Sequence, residues 1–391
     1  MPCFCEPYIL NDVYQDITSS IFLYEINIHI HMTILNSLYF ENLVFEGGGI
    51  KGVAYVGSLK VLNKLDKMKY VKKTIGTSVG SIFALLVSMK CTDDQIDKHF
   101  WNLLNEMTKF NDNVFTEAEN IISKMGLHSN ENMYTAVNSV IKDICGTDNT
   151  TFEQLYELTK TELTVVATCL STRKIEYFNH LTYPNMEVAK SIQISTSVPL
   201  FYTVTKWNNM IWADGGIVEN FPIEYYDIDG AFNEHTLGFM FEYEAEKHKL
   251  YNVNNLLELF GGIENTFLDN NIRQSIGKSK DRFIIDIDSG DVSSLDFNIS
   301  QEKIDYLMNQ GTKSTMDFFS ENYEDTNVSI ESNKSSNNDD NIESVKNNDN
   351  IESAKSNDNI ENIESIEPIH TSVDGGFIDK VYKLLGNLKF W

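Results

Sequence analysis

Two glycine turns, each following an apolar run that reads as a strand and opening one that reads as a helix, constrain this chain more than any other feature. The first lies in LVFEGGGIKGVAYVGSL, residues 43 to 59: a strand ending at Phe45, a glycine turn, and a helix from about Lys51 to Leu65. A second strand runs from about Tyr70 to Thr77, and the turn GTSVG leads into a helix from Val79 to Met89. Strand, tight turn and helix twice in succession is the pattern of a parallel α/β sheet. Further along, ELTVVATCL (162 to 170) concentrates β-branched residues as a buried strand does. RKIEYFN suits a hairpin partner for it, and MIWADGG, HTLGFMFE and DRFIIDID supply further strands. Residues 93 to 160 read as mainly helical, with other helices from Met186 to Thr196, near 253 to 275 and near 300 to 319. The expected fold is a three-layer α/β sandwich with a central, mostly parallel sheet.

Function turns on which anion the first turn holds. GGGIKG fits G-x-G-x-x-G, the dinucleotide fingerprint, but that site also needs an acid ending the next strand, about 20 residues on, to hold a ribose. Asp66 has the spacing yet precedes that strand, which ends instead in Gly76-Thr77-Ser78-Val79-Gly80. G-x-S-x-G between strand and helix is the nucleophile elbow: a sharp turn lifts Ser78 clear of the sheet, and Gly76 and Gly80 keep side chains from blocking it. Neighbouring parallel strands set both turns side by side at the carboxyl edge of the sheet, where α/β active sites lie. The bare amides around Gly48 and Gly49 then converge beside the Ser78 hydroxyl. Each well-placed donor there contributes on the order of 3 kcal/mol to stabilising an oxyanion.

A serine hydroxyl is a weak nucleophile until a base takes its proton. IWADGGIVENFPI offers Asp214 directly after an apolar strand, in a turn with Gly215 and Gly216; read in isolation, the same D-G-G is a side-chain turn. Three alternatives stand beside a serine-aspartate pair. One is a Ser-acid-His triad completed by His235 or His248; another is a silent lipid-binding or partner-binding protein that keeps the elbow as architecture; the third is a dinucleotide site.

Taken in order, GGGIKG, GTSVG and DGG make the chain resemble the patatin-like lipid acyl hydrolases, from about Leu43 to Pro222 with diffuse similarity to about residue 320. The resemblance implies a dyad without a catalytic histidine, Ser78 being the nucleophile and Asp214 its sole partner. It implies an oxyanion loop of Gly47, Gly48, Gly49 and Gly52, with Lys51 where the family carries a basic residue. SIQISTSVPLFY and ENFPI also look like family sequence and imply structural roles for Ser197, Pro199 and Asn220. The implied reaction is cleavage of fatty-acyl esters of phospholipids or other acyl-ester lipids through an acyl-serine, with no cofactor and no metal. Such a dyad demands an aspartate made more basic by a dry site and within hydrogen-bond reach of the hydroxyl.

Composition narrows the partners. A formal charge of −26 argues against a nucleic-acid partner, because phosphate contacts need Lys and Arg to displace counterions. Cys3, Cys5, Cys91, Cys145 and Cys169 are scattered, without metal-ligand spacing, and read as free thiols in a reducing compartment. Residues 1 to 31 carry no Lys or Arg, so no signal peptide is expected. No stretch reaches the roughly 18 apolar residues of a membrane helix. The expectation is an intracellular, cytoplasmic protein, for which Met32 is an alternative start.

Four segments follow from the patterning: a poorly patterned N-terminal extension (1–40), an acyl hydrolase domain (41–320), a linker (321–370) and a C-terminal basic amphipathic helix (371–391). The linker holds 13 acids against 3 lysines and repeats DNIESVKN, DNIESAKS and DNIENIES every nine residues. It lacks the apolar surface to offset ordering and is expected to be disordered. The last segment, FIDKVYKLLGNLKFW, places Phe377, Val381, Leu384, Leu385, Leu388 and Trp391 on one face. Such a helix can lie on a membrane surface or fold back over the domain. Lys60, Lys64, Lys67, Lys69, Lys72 and Lys73 form a basic cluster expected to face lipid headgroups beside the site.

Overall fold

A computed structural model describes residues 38–107, 125–242, 262, 266 and 282–335, with side chains of the last helix described to residue 320. Nearly all of the N-terminal extension, His248, most of the helix expected near 253 to 275, the repeat segment beyond 335 and the C-terminal helix lie outside the described residues. The chain divides after Ser336, and everything described belongs to the first unit.

The strands are β1 (Asn42–Phe45), β2 (Lys73–Thr77), β3 (Gly126–His128), β4 (Glu162–Cys169), β5 (Lys174–Phe178), β6 (Leu200–Tyr202), β7 (Thr205–Trp207), β8 (Met210–Asp214), β9 (Thr236–Phe241) and β10 (Phe283–Ile287). The helices are α1 (Val53–Lys64), α2 (Val79–Ser88), α3 (Asp93–Met107), α4 (Glu131–Cys145), α5 (Phe152–Thr159), α6 (Val188–Ser195) and α7 (Gln301–Ser335). Eight strands form one sheet in the order β10-β9-β1-β2-β4-β8-β7, with β5 also paired to β4, while β3 and β6 pair separately. The run from β10 to β4 is parallel, and β5, β7 and β8 are antiparallel to their neighbours. This is the expected α/β architecture with a central, mostly parallel sheet flanked by helices.

Strand residues alternate between two buried faces, the period-two pattern of a sheet covered on both sides. Leu43, Phe45, Val165, Ala167, Leu237 and Phe239 join the larger core with α1 and α2. Val44, Ile75, Val166 and Met240 face the other way, against Phe221, Ile223 and Tyr226. Two boundaries differ from the sequence pattern. A 3-10 turn at Gly49–Gly52 delays α1 to Val53, and another at Met68–Tyr70 delays β2 to Lys73. The backbone of α7 continues beyond residue 320, where the sequence reading ended the domain.

Register across β4 positions the site. β5 occupies one edge of β4 from Val165 to Cys169, so β2 and β8 share the other. β2 runs up that edge until Thr77 stands opposite Val166, and β8 runs down it until Asp214 stands opposite Ala167. The two strands therefore end tip to tip.

The same register moves the basic cluster away from this point. Lys73 pairs with Asn42 at the amino end of the sheet, five residues and roughly 16 Å of strand from Ser78. Lys60 is bound to Asp97, Lys69 to Asp66 and Lys72 to Glu41, while the Lys67 ammonium donates to Leu38 O. The expectation that these lysines lie beside the site is corrected: adjacency along the chain is not adjacency at the sheet edge.

Candidate active site

Ser78 lies between the last residue of β2 and the first of α2 with φ 53° and ψ −127°. A positive φ is costly for a residue with a Cβ and is retained where surrounding structure enforces it. Tight packing of the turn does so here. A Cβ on Gly76 would overlap Gly80, and one on Gly80 would overlap the Phe45 carbonyl, so α2 starts against the end of β1. Its positive end thus points at the space above Ser78. Ser78 is 7% exposed, its amide donates to Ser195 Oγ at 2.9 Å, and its carbonyl accepts from Ser81 Oγ at 2.6 Å.

Asp214 is 4% exposed. Oδ1 accepts from the Gly216 amide at 2.8 Å, so the side-chain turn read from D-G-G is present. Oδ2 is the oxygen left over, buried and without a formed hydrogen bond among the described residues. The Ser78 hydroxyl nonetheless lies near enough to act on the carboxyl and lower its pKa, as does the Gly216 amide. Burial outweighs both and raises the pKa to about 7, and no charged group is among the causes.

In the glycine loop the amides divide into occupied and open. Gly47 N donates to Asn220 O at 3.0 Å, and Lys51 N donates to Gly48 O at 3.1 Å. Gly52 packs its bare Cα against Val79, where a Cβ would overlap the valine side chain. The amides of Gly48 and Gly49 meet no acceptor among the described residues, and neither does that of Val79 at the start of α2. Of the five residues assigned to the loop from sequence, Gly48 and Gly49 are the two whose amides stay without an acceptor among the described residues. Lys51 carries its ammonium 5.8 Å from the Phe241 ring centroid and acts on the buried Glu46 carboxyl.

Sequence reasoning passed over two features. Glu46 is buried, its Oε2 accepting from Phe241 N at 2.7 Å and its Oε1 from Asn220 Nδ2 at 3.1 Å. Asn220 Nδ2 also donates to Gly47 O at 2.9 Å, so Glu46 and Asn220 join the glycine loop to the chain that follows Asp214. Burial raises the Glu46 pKa to about 8 against the opposing pull of the Phe241 amide, Lys51 and Asn220. A charged residue at the end of an apolar strand was the available signal. The second is the Val79 amide, which any residue following an elbow serine presents.

His235 is at the far end of the sheet. Its carbonyl accepts from Glu41 N and Asn42 N, and its ring stacks on Tyr39 at 4.6 Å. By register it lies six residues below Ser78, roughly 20 Å along the strands. The triad through His235 is therefore corrected. The dinucleotide reading also fails in the described geometry: Asp66 sits exposed after α1, bound to Lys69, and not at the end of β2. Among the described residues no group of three or more His, Cys, Asp or Glu is placed to hold a metal ion. Nor is any described helix long and apolar enough to cross a membrane.

Comparison with known proteins gives a family match, curated relatives and solved structures of similar fold. Residues 43–227 match the family model described as Patatin-like phospholipase. Uncharacterized protein R571 of Acanthamoeba polyphaga mimivirus is 28% identical over 283 residues, spanning 70% of this chain and 92% of that protein. Probable lipid hydrolase 463L of Invertebrate iridescent virus 6 is 30% identical over 190 residues, spanning 49% and 64% respectively. Among solved structures, VipD from Legionella pneumophila aligns with a TM-score of 0.47 at 18% identity, covering 72% of this chain and 67% of that one.

Proposed function

We propose that the chain, a member of the patatin-like phospholipase family through residues 43–227, hydrolyses fatty-acyl ester bonds of phospholipids or other acyl-ester lipids with Ser78 as nucleophile and Asp214 as base. The observation that carries the reading is the buried Asp214 carboxyl, one oxygen of it unbonded among the described residues, close enough to Ser78 for the serine hydroxyl to act on it, at the point where β2 and β8 end tip to tip. Membership in a lipid-hydrolysing family supports the substrate class, as does the similarity to the probable lipid hydrolase of Invertebrate iridescent virus 6.

In this mechanism Asp214 Oδ2 takes the hydroxyl proton as Ser78 Oγ attacks the ester carbonyl carbon. The carbonyl oxygen becomes an oxyanion that receives the Gly48 and Gly49 amides, while the positive end of α2 lowers its energy further. Collapse expels the alcohol, which takes the proton back from Asp214 and leaves an acyl-serine. Water, deprotonated by Asp214, then attacks the acyl carbon; the fatty acid departs and Ser78 recovers its proton. Desolvation is what makes the aspartate basic enough to serve without a histidine. The enzyme acts in the cytoplasm and meets its lipid at a membrane surface, where Val218, 45% exposed just after the Asp214 loop, offers an apolar contact.

The test is product analysis by mass spectrometry on mixed phospholipid vesicles and neutral acyl esters, with wild-type protein beside Ser78→Ala and Asp214→Ala, together with labelling by a fluorophosphonate. Release of fatty acid and labelling at Ser78 by the wild type alone supports the reading. A folded wild-type protein that releases nothing and takes no label supports the silent lipid-binding or partner-binding alternative.

A further inference from the structure

One three-residue stretch holds both halves of the proposed dyad. Ser195, the last residue of α6, accepts the Ser78 amide on its hydroxyl at 2.9 Å and donates that hydroxyl to Val166 O at 2.7 Å. Two residues on, the Ser197 carbonyl accepts the Asp214 amide at 2.9 Å. Both serines are fully buried.

The need for a hydroxyl at Ser195 follows from the sheet. The β2 ladder ends with Thr77 opposite Val166, and the chain then turns out of the strand at Ser78. The Val166 carbonyl and the Ser78 amide face the gap between the ends of β2 and β8, and burial there without partners would cost each its full desolvation. A group that both donates and accepts closes the gap, and a serine hydroxyl does both. Ser197 is fixed from behind: its hydroxyl meets Asn130 Nδ2 at 2.6 Å, Gln193 O at 2.7 Å and Thr205 Oγ1 at 2.9 Å. Asn130 also donates to Gln193 O at 2.9 Å, tying the start of α4 into the same buried network.

We infer that Ser195 to Ser197 is a rigid spacer setting the separation and angle of Ser78 and Asp214, with Ser195 a positioning residue for the nucleophile. The inference rests on the Ser-Asp reading. It also dedicates the Ser78 amide to Ser195, leaving the oxyanion to Gly48, Gly49 and Val79.

Ser191 supplies the control. It lies one turn earlier on α6, is equally buried, and donates its hydroxyl to Val188 O at 2.7 Å, within its own helix. For Ser195→Ala, kcat on a soluble short-chain ester and the fluorophosphonate labelling rate should both fall by about 30- to 100-fold, the scale of a roughly 1 Å misplacement. KM should stay within about twofold, and the acid limb of the pH-rate profile should move upward as Asp214 loses the hydroxyl that lowers its pKa. Ser191→Ala should lose comparable thermal stability while keeping kcat and the pH profile. Ser195→Gly, which leaves room for a water to bridge the same two groups, should recover part of the loss. If Ser195→Ala fails to fold, Ser195→Cys, a weak donor and acceptor on the same stem, is compared with Ser191→Ala in the same way. Kinetics and acid limb indistinguishable from those of Ser191→Ala would overturn the spacer. Turnover surviving in Ser78→Ala would instead remove the Ser-Asp reading beneath it.

Discussion

Thr77 and Asp214 occupy successive positions on one edge of β4, the first opposite Val166 and the second opposite Ala167. Strands approaching from opposite directions stop there, on rungs roughly 3.3 Å apart. The residue leaving the first strand, Ser78, and the last residue of the second are thus brought together by ladder register, with no long flexible loop between them. If the two act as the proposed dyad, anchoring of this kind pre-organises it, which is where much of the benefit of orientation comes from.

Removing either member should abolish turnover without unfolding the protein, because each contributes one small side chain to a site framed by backbone. Ser78→Ala and Asp214→Ala should each lower kcat by about 10⁴-fold or more, and the double variant should cost little beyond either single one, as expected for groups acting as a unit. Steady-state kinetics on a soluble ester, with circular dichroism as the folding check, measures this. Losses that multiply in the double variant would show that the two residues act independently.

The pH dependence follows from Asp214, whose pKa burial raises to about 7. Only the ionised carboxylate accepts the serine proton, so kcat/KM should rise with pH, increasing about tenfold per unit below that value and levelling above it. Stability runs in the opposite sense. Asp214 and Glu46, the latter raised to about 8, bind protons in the folded state that the unfolded chain has released above a pH of roughly 4. Their contribution to stability therefore falls as pH rises from about 4 to 8. Asp214→Asn and Glu46→Gln should raise Tm relative to wild type at pH 8.5 and lose that advantage near pH 4. Thermal melts across the range check the sign.

His235→Ala should leave ester hydrolysis within about twofold of wild type, since surface substitutions away from a site rarely matter and this ring lies at the opposite end of the sheet beside Tyr39. The assay is the same soluble-ester kinetics. A loss of several hundredfold would mean that a histidine completes the site after all.

The parts of the fold legible in sequence were those where local chemistry dictates local structure. Apolar runs closed by glycines gave β1, β2 and the start of α2, and β-branched residues gave β4. The partners of Ser78 were less legible. Ser195 looked like one more residue of an apolar helix, because the need for its hydroxyl arises from an interrupted ladder bond between β2 and β4 that no linear pattern displays. Glu46 was hidden for the same reason: its partners Asn220 and Phe241 lie far along the chain. The lysines misled in the reverse direction, being near Ser78 in number and at the opposite edge in space.

The glycine loop offers the sharpest test of where the oxyanion forms. A Cβ at Gly47 would overlap Asn220 Oδ1 and stand 3.2 Å from both Ser78 Cβ and Thr77 O. Asn220 cannot withdraw freely, because its amide group holds Gly47 O and Glu46 Oε1 together. Gly47→Ala must therefore shift the loop itself, moving the Gly48 and Gly49 amides off the carbonyl oxygen while leaving Ser78 and Asp214 in place. The expected result is a kcat lowered by about 10²- to 10³-fold, the effect of losing one donor, with KM little changed. Gly146→Ala is the matched control: with φ 75° and nothing within 4 Å of the added Cβ, it should cost about 1 kcal/mol of stability through backbone strain alone. Its kcat should be that of wild type. A Gly47→Ala enzyme that also keeps wild-type kcat would place the oxyanion elsewhere, leaving the Val79 amide and the end of α2 as the remaining donors at this edge.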